Sequence, residues 1–220
     1  MPWADLATAE PGDARYDELV DWIDRVVALG PGTYFTINHE PETSDSRANG
    51  SSEDFVAMWR RTVELLRERG GDEIRTVWTM TNGAFSDGRA AQWYPGDDVV
   101  DVVGADVYNW HTCQGTNRPW VELDVLMGPA LDFAASHDKP LAMPELASVE
   151  DREDPERKAV WIRNATQALL TPSLADRVEF AIWFDVTAPG GTWPNCIWDH
   201  DSSPASLEAF TDFTAALGPR

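Results

Sequence analysis

Two glutamates, Glu40 and Glu145, follow short β-rich segments that are apolar on both faces. The preceding segments are 33–38, TYFTIN, and 140–144, PLAMP. A pair of carboxylates at such positions suits the hydrolysis of a glycosidic bond. One of them protonates the leaving oxygen, and the other stabilises or attacks the anomeric carbon. The bare pattern is only moderately specific, because a strand-end glutamate also serves as a capping group or an ion-pair partner.

Other polar and aromatic side chains stand at or just after the ends of the remaining predicted strands. They are His39, Thr81, Asn82, Asp106, Tyr108, Asn109, Trp110, Trp183 and Asp185. A tyrosine near one carboxylate and a tryptophan under a sugar ring would support the chemistry of the two glutamates. The chain has 11 tryptophans, and several lie among Gly, Pro and Asn outside periodic segments, which suggests a ligand with flat apolar faces.

Several other chemistries have no support in the sequence. The phosphate-binding patterns GxGxxG and GxxxxGK[ST] and the nucleophile pattern GxSxG are absent. The four histidines, 39, 111, 137 and 200, form no metal-ligand pattern, so we expect neither metal nor cofactor. The formal charge of −21 argues against binding to nucleic acid or to an anionic membrane, since both reward clustered Lys and Arg.

Hydrophobic periodicity predicts strands that alternate with helices. The predicted strands are 33–38, 74–80, 99–108, 140–144 and 178–184, and the predicted helices are 16–29, 53–69, 121–136, 155–170 and 204–217. Ser51 or Ser52 is the expected N-cap of the second helix, and residues 1–15 read as a loop. Strands that are apolar on both faces indicate a parallel sheet covered by helices, with ligands at the carboxyl ends of the strands.

The length of 220 residues predicts a single domain. The strands recur about every 36 residues, whereas a closed eight-unit barrel takes about 250 residues. The chain is therefore two or three units short of a full barrel. No apolar run approaches the roughly 18 residues of a membrane span, and no signal peptide is visible.

Four segments, in this order, make the prediction much more specific. They are TINHEPE at 36–42, WYPGDDVVDVVGADVYNW at 93–110, KPLAMPELAS at 139–148 and FAIWFD at 180–185. Together they resemble glycoside hydrolase family 26, the family of endo-β-mannanases and relatives. The resemblance runs from about Trp3 to Phe213, and its most specific part is the YPGDD-VDVVG-D-Y block.

The resemblance implies a retaining enzyme of the (β/α)8 barrel type in which this chain supplies strands 4 to 8. Glu40 would be the acid/base and Glu145 the nucleophile. The implied substrate-binding residues are His39, Asp106, Tyr108, Trp110 and Trp183, with Trp183 as the sugar platform. For Trp110 alone, packing within its loop is the better interpretation. Glu42 and Glu150 are the alternatives most easily confused with the catalytic pair, and each reads better as a solvated loop acid.

One departure from the family leaves the substrate open. Family mannanases often continue from His-Glu into a Gly-x-Trp stretch, whereas Glu40 is followed by PETSDSRANGSS. The candidate substrates are β-mannan, mixed-linkage β-glucan and β-1,3-xylan. Two alternatives to catalysis also stand: a non-catalytic carbohydrate-binding protein and an inactive fragment of a barrel.

Further expectations depend on the same resemblance. Cys113 and Cys196 fall in loops on the site-bearing face, and we expect a disulfide because relatives of this kind are exported. We accordingly expect an extracellular protein. An open five-stranded sheet leaves a bare edge, which predicts poor solubility or self-association with a second copy.

Overall fold

The computed structural model describes residues 2–113, 118–186 and 196–218. Its five strands form one sheet in the order β1-β2-β3-β4-β5. The strands are β1 (Tyr34–Phe35), β2 (Arg75–Thr81), β3 (Val102–Asn109), β4 (Leu141–Ser148) and β5 (Val178–Trp183). The pairs β1–β2 and β4–β5 are parallel. The predicted alternation of helix and strand is present.

Eight α-helices lie in the described part of the chain. They are α1 (Trp3–Ala7), α2 (Ala14–Val27), α3 (Ser52–Glu68), α4 (Asn82–Ser86), α5 (Leu123–Ser136), α6 (Arg157–Leu169), α7 (Pro172–Ala175) and α8 (Pro204–Leu217). Ser51 caps α3 in a reciprocal capping box with Asp54, which decides between the two N-cap candidates, Ser51 and Ser52. Ser203 caps α8 by accepting a hydrogen bond from the Ser206 N–H.

The chain divides into two compact units. Unit 1 comprises residues 1–104 and 133–140, and unit 2 comprises 105–132 and 141–220. Unit 1 has an aromatic core in which the ring of Trp3 lies 5.3 Å from that of Phe55 and 5.9 Å from that of Trp93. Unit 2 has a core around β4, β5, α6 and α8, in which Trp161 and Phe213 are buried.

Several boundaries differ from the sequence prediction; β3, for example, begins at Val102 and not at residue 99. Residues 3–7, predicted as loop, form α1, because burial of Trp3 against Phe55 fixes a segment too short for periodicity to identify. Strand β1 ends at Phe35 and not at residue 38, where Asn38 has a positive φ of 54°. Strand β4 continues to Ser148, so Glu145 lies within the strand and not after it.

The Tyr94–Asp98 segment, part of the block most specific to the resemblance, is structural in unit 1. Arg60 of α3 makes two hydrogen bonds to the Asp98 carboxylate, of 2.9 and 2.7 Å. The Tyr94 hydroxyl donates to Asp97 at 2.8 Å, and this bond is the main reason that the pKa of Asp97 is lowered. The segment therefore holds α3 against the chain that leads into β3.

Gly104, within the same sequence block, is required by a close approach inside unit 1. A Cβ atom on this residue would collide with the Thr79 side chain of β2. The glycine thus allows β3 to lie directly against β2. No helix in the described ranges is both long enough and apolar enough to span a bilayer.

Candidate active site

His39 and Glu40 lie on a tight turn of unit 1, just beyond the end of β1. The Glu40 N–H donates to the Thr79 carbonyl at 3.0 Å, and the Glu40 carbonyl accepts from the Thr43 hydroxyl at 2.9 Å. Glu40 has a positive φ of 48°, a conformation that is uncommon for a residue with a side chain. His39 is exposed and Glu40 is half-buried, so both can meet a ligand from solvent.

Glu42, the neighbouring acid, has a structural role. Its side chain is buried, and Oε1 accepts hydrogen bonds from the Thr81 N–H at 2.9 Å and the Thr81 hydroxyl at 2.5 Å. This corrects the interpretation of Glu42 as a solvated loop acid. The carboxylate joins the turn after Glu40 to the end of β2, and thereby helps to place Glu40.

In unit 2, Glu145 of β4 receives a short hydrogen bond from Tyr108 of β3. The Tyr108 hydroxyl lies 2.5 Å from Glu145 Oε2. Both side chains are half-buried. A hydrogen bond of this length restricts both side chains, so this contact fixes the direction in which Glu145 points.

Asp106 and Asn109 complete the polar end of β3. Asp106 is buried and shares a strand face with Tyr108, because residues two apart point to the same side. Asn109 is also buried; it donates to the Ser148 hydroxyl at 3.0 Å and accepts from the Val121 N–H at 3.2 Å. Asn109 thereby joins the loop after β3 to the end of β4.

An aromatic cluster packs around Tyr108 within unit 2. The ring of Trp198 lies 4.8 Å from that of Tyr108 and 5.3 Å from that of Trp110, both edge to face. Trp183, at the end of β5, donates its indole N–H to the Trp198 carbonyl at 2.9 Å. Trp110 packs within its loop, as the sequence suggests for it alone, Trp198 packs in the same cluster, and Trp183 is half-buried.

The structure joins Cys113 and Cys196 in a disulfide, as predicted. Both residues are buried beside Ala147 and Val149, at the end of β4. The bond links the loop after β3 to the segment that carries Trp198. The disulfide therefore restrains the segment that places Trp198 in the aromatic cluster.

Lys158 of α6 is a member of this region that the sequence analysis missed. Its side chain is fully buried, and Nζ donates to the carbonyls of Ile197 at 3.3 Å and Asp199 at 2.7 Å and to the Ser202 hydroxyl at 2.9 Å. Glu150 Oε1 lies 4.0 Å from the same nitrogen. A signal was present in the sequence, because Lys158 interrupts the otherwise apolar face of α6, but the partners are about 40 residues away along the chain.

Glu150 is held by the same cluster. It accepts hydrogen bonds from the hydroxyls of Ser202 and Ser206 and lies close to the Lys158 ammonium. The interpretation of Glu150 as a solvated loop acid is therefore also wrong. The carboxylate balances the buried cation, as a buried charge requires.

The free energy of unfolding should depend on pH because the pKa of Lys158 differs between the folded and the unfolded chain. Burial lowers its pKa to about 8 from the ordinary 10.5. Between these two pH values the unfolded chain retains a proton that the folded chain has released, so the free energy of unfolding rises with pH. Relative to Lys158→Met, wild type should gain about 3 kcal/mol across this window. Urea unfolding at a series of pH values measures the difference, and a constant difference would contradict the assignment.

Comparisons with known proteins agree with this architecture. Residues 41–131 match the sequence profile of Glycosyl hydrolase family 26. Endoglucanase H of Acetivibrio thermocellus is 30% identical over 172 residues, which cover 78% of this chain and 18% of that protein. A β-1,3-xylanase of Alcaligenes sp. is 28% identical over 165 residues, covering 70% of this chain and 33% of that protein.

The fold has solved counterparts. The structure of a GH26 β-mannanase from Bacteroides ovatus superposes with a TM-score of 0.62 at 19% identity, covering 97% of this chain and 62% of that one. The predicted fold class, a partial (β/α)8 barrel with five parallel strands, is confirmed. The chain spans less than two thirds of the length of each of these relatives.

Proposed function

Because the chain belongs to glycoside hydrolase family 26, we propose that it is a retaining hydrolase of β-linked polysaccharides. Glu40 is the acid/base and Glu145 is the nucleophile. Glu40 lies in the turn that follows β1, and Glu145 lies in the second half of β4, in a fold whose ligands bind at the carboxyl ends of the strands. A retaining mechanism requires about 5–5.5 Å between the two carboxyl groups, which a ligand-bound crystal structure would measure.

The observation that carries the proposal is the hydrogen bond of 2.5 Å from Tyr108 to Glu145. A nucleophilic carboxylate must be ionised and must point at the anomeric carbon. The phenol donates to Oε2 of Glu145 and thereby orients the carboxylate for attack. The buried Asp106 lies on the same face of β3 and supports this arrangement.

The remaining residues are assigned to sugar binding. Trp183 is half-buried and offers part of its indole to a sugar ring, since the CH face of a sugar packs on an aromatic ring. His39, exposed next to Glu40, lines the position of the sugar that is cleaved. Trp110 contributes by packing against Tyr108, with the two rings 5.4 Å apart.

The substrate is a β-glycan, and a panel of polysaccharides decides which one. The relatives found by sequence are named an endoglucanase and a β-1,3-xylanase, and the structural counterpart is a β-mannanase. Release of reducing sugar from β-mannan, mixed-linkage β-glucan and β-1,3-xylan tests all three. If the protein hydrolyses one of these polysaccharides and not the other two, that polysaccharide is the substrate. No turnover of any of them by the folded protein would contradict the hydrolase proposal.

Glu40→Gln should separate the acid role from the base role. Without a general acid, kcat/KM on polysaccharide should fall roughly 10²- to 10⁴-fold. A dinitrophenyl glycoside should lose much less in its first step, because its leaving group needs no proton. Stopped-flow release of dinitrophenol measures that step.

The control for this variant is Glu73→Gln, which changes an exposed glutamate in the loop before β2. It should retain wild-type rates on both substrates. Equal losses in Glu40→Gln on the activated and the natural substrate would exclude Glu40 as the acid.

The disulfide favours an extracellular location. Disulfides persist in oxidising compartments and are rare in a reducing cytosol. We therefore infer that the protein acts outside the cytosol, where polysaccharides occur. Organisation as a single catalytic domain and association of a second copy at the sheet edge stay predictions.

A further inference from the structure

The Lys158 ammonium lies 5.9 Å from the centre of the ring of Trp183, an aromatic residue that the proposed function uses. We propose that Lys158 is a positioning residue, which holds the segment 197–202 so that Trp183 and Tyr108 present the correct faces to a sugar. This inference rests on the proposed function and goes beyond it, because Lys158 itself touches no substrate.

The ammonium group holds the segment at three points. It has three N–H donors, and its acceptors are the carbonyls of Ile197 and Asp199 and the hydroxyl of Ser202. All three lie within six residues of chain, so one side chain fixes the path of that segment. Methionine at this position would fill a similar volume but would leave two inward-facing carbonyls without this donor.

The first link from Lys158 leads to the sugar platform. The Trp198 carbonyl, in the middle of the segment, accepts the indole N–H of Trp183 at 2.9 Å. The Lys158 ammonium also lies 5.9 Å from the centre of the Trp183 ring, within the range of a cation–π contact. Lys158 thus contacts Trp183 both directly and through the segment.

The second link leads to the proposed nucleophile. The Trp198 ring packs at 4.8 Å against Tyr108, whose hydroxyl donates to Glu145. A shift of the segment would move Trp198 and so weaken its packing against the Tyr108 ring. Since the Tyr108–Glu145 hydrogen bond is itself short, we expect this second effect to be smaller than the effect on Trp183.

A charged group at a fully buried position lowers the stability of the fold, and an apolar group there would be less unfavourable. Taking an ammonium out of water is unfavourable unless it is paired, and replacement of buried ion pairs by apolar groups is often neutral. Lys158 occupies the same helix face as the buried Ala159, Trp161 and Ile162. The hydrogen bonds from Lys158 align the segment 197–202, which an apolar residue at this position could not do.

The test compares Lys158→Met with Lys139→Met. These are the chain's two lysines, and Lys139 makes its contact in unit 1, where Nζ donates to the Asp97 carbonyl at 2.8 Å. On the polysaccharide that wild type cleaves, Lys158→Met should raise KM about tenfold, the effect of a loss of about 1.4 kcal/mol in binding, with kcat within about threefold. Hydrogen exchange followed by mass spectrometry should show faster exchange in 197–202. Lys139→Met should change neither.

A folded Lys158→Met protein with wild-type KM would overturn the proposal, and so would a loss confined to kcat. If Lys158→Met does not fold, Ser202→Ala removes one of the three acceptors, and the same KM criterion applies to it. If wild type binds oligosaccharide without hydrolysing it, the hydrolase proposal fails alone, and an unchanged Kd in the variant then overturns the role of Lys158. Absence of both binding and turnover overturns both proposals.

Discussion

Glu145→Gln is expected to abolish hydrolysis. The amide keeps the volume of the carboxylate but cannot form the glycosyl-enzyme intermediate, so kcat should fall on the order of 10⁴-fold or more, as when other covalent nucleophiles are removed. The amide oxygen can still accept the Tyr108 hydrogen bond, which is 2.5 Å in wild type. The fold should therefore persist, and reducing-sugar release by equal amounts of the two proteins measures the effect.

The matched control is Glu208→Gln on α8, whose side chain is 74% exposed. This variant should turn over substrate at the wild-type rate. That result would show that the loss in Glu145→Gln does not come from removal of one negative charge in general. Residual activity above about a tenth of wild type in Glu145→Gln would exclude the nucleophile role. A protein that never hydrolyses the polysaccharides but binds one equally well with and without the carboxylate would be a carbohydrate-binding protein on the same scaffold.

Removal of the disulfide is expected to cause the largest loss of stability. Cys113 and Cys196 are separated by 83 residues, and cross-linking a loop of that length lowers the entropy of the unfolded chain by an amount worth about 4 kcal/mol. The double variant Cys113→Ala/Cys196→Ala should lose this amount in urea unfolding. Its melting temperature should fall by roughly 10 °C.

Reductant supplies the control. Dithiothreitol should lower the stability of wild type toward that of the double variant and should leave the double variant unchanged. A wild type whose unfolding does not respond to reductant, with reduction verified by thiol titration, would show that the bond contributes little. Turnover should be tested in parallel, because the bond also fixes the segment that carries Trp198.

Local patterns in the sequence were sufficient for the order of helices and strands. Alternation of doubly apolar strands with amphipathic helices predicts a parallel α/β sheet, and the serines at 51 and 52 predict the start of the second helix, which Ser51 caps. The candidate residues followed from the same reasoning, since the strand ends define where a ligand can bind. The sequence predicted the ends of helices and strands less well where contacts with distant residues decide them. Examples are the helix that begins at Trp3 and the extension of β4 to Ser148.

The contacts that shape the candidate site were decided by the tertiary structure. Tyr108 and Glu145 are 37 residues apart, and only the pairing of their strands brings the hydroxyl to the carboxylate. Glu42 and Glu150 read as solvated acids but are structural, because their partners come from other elements. Lys158 in isolation is a charge on an apolar helix face; the carbonyls that make it stable there come from a segment about 40 residues away. Periodicity reports burial within one element, whereas hydrogen-bond partners depend on how elements pack.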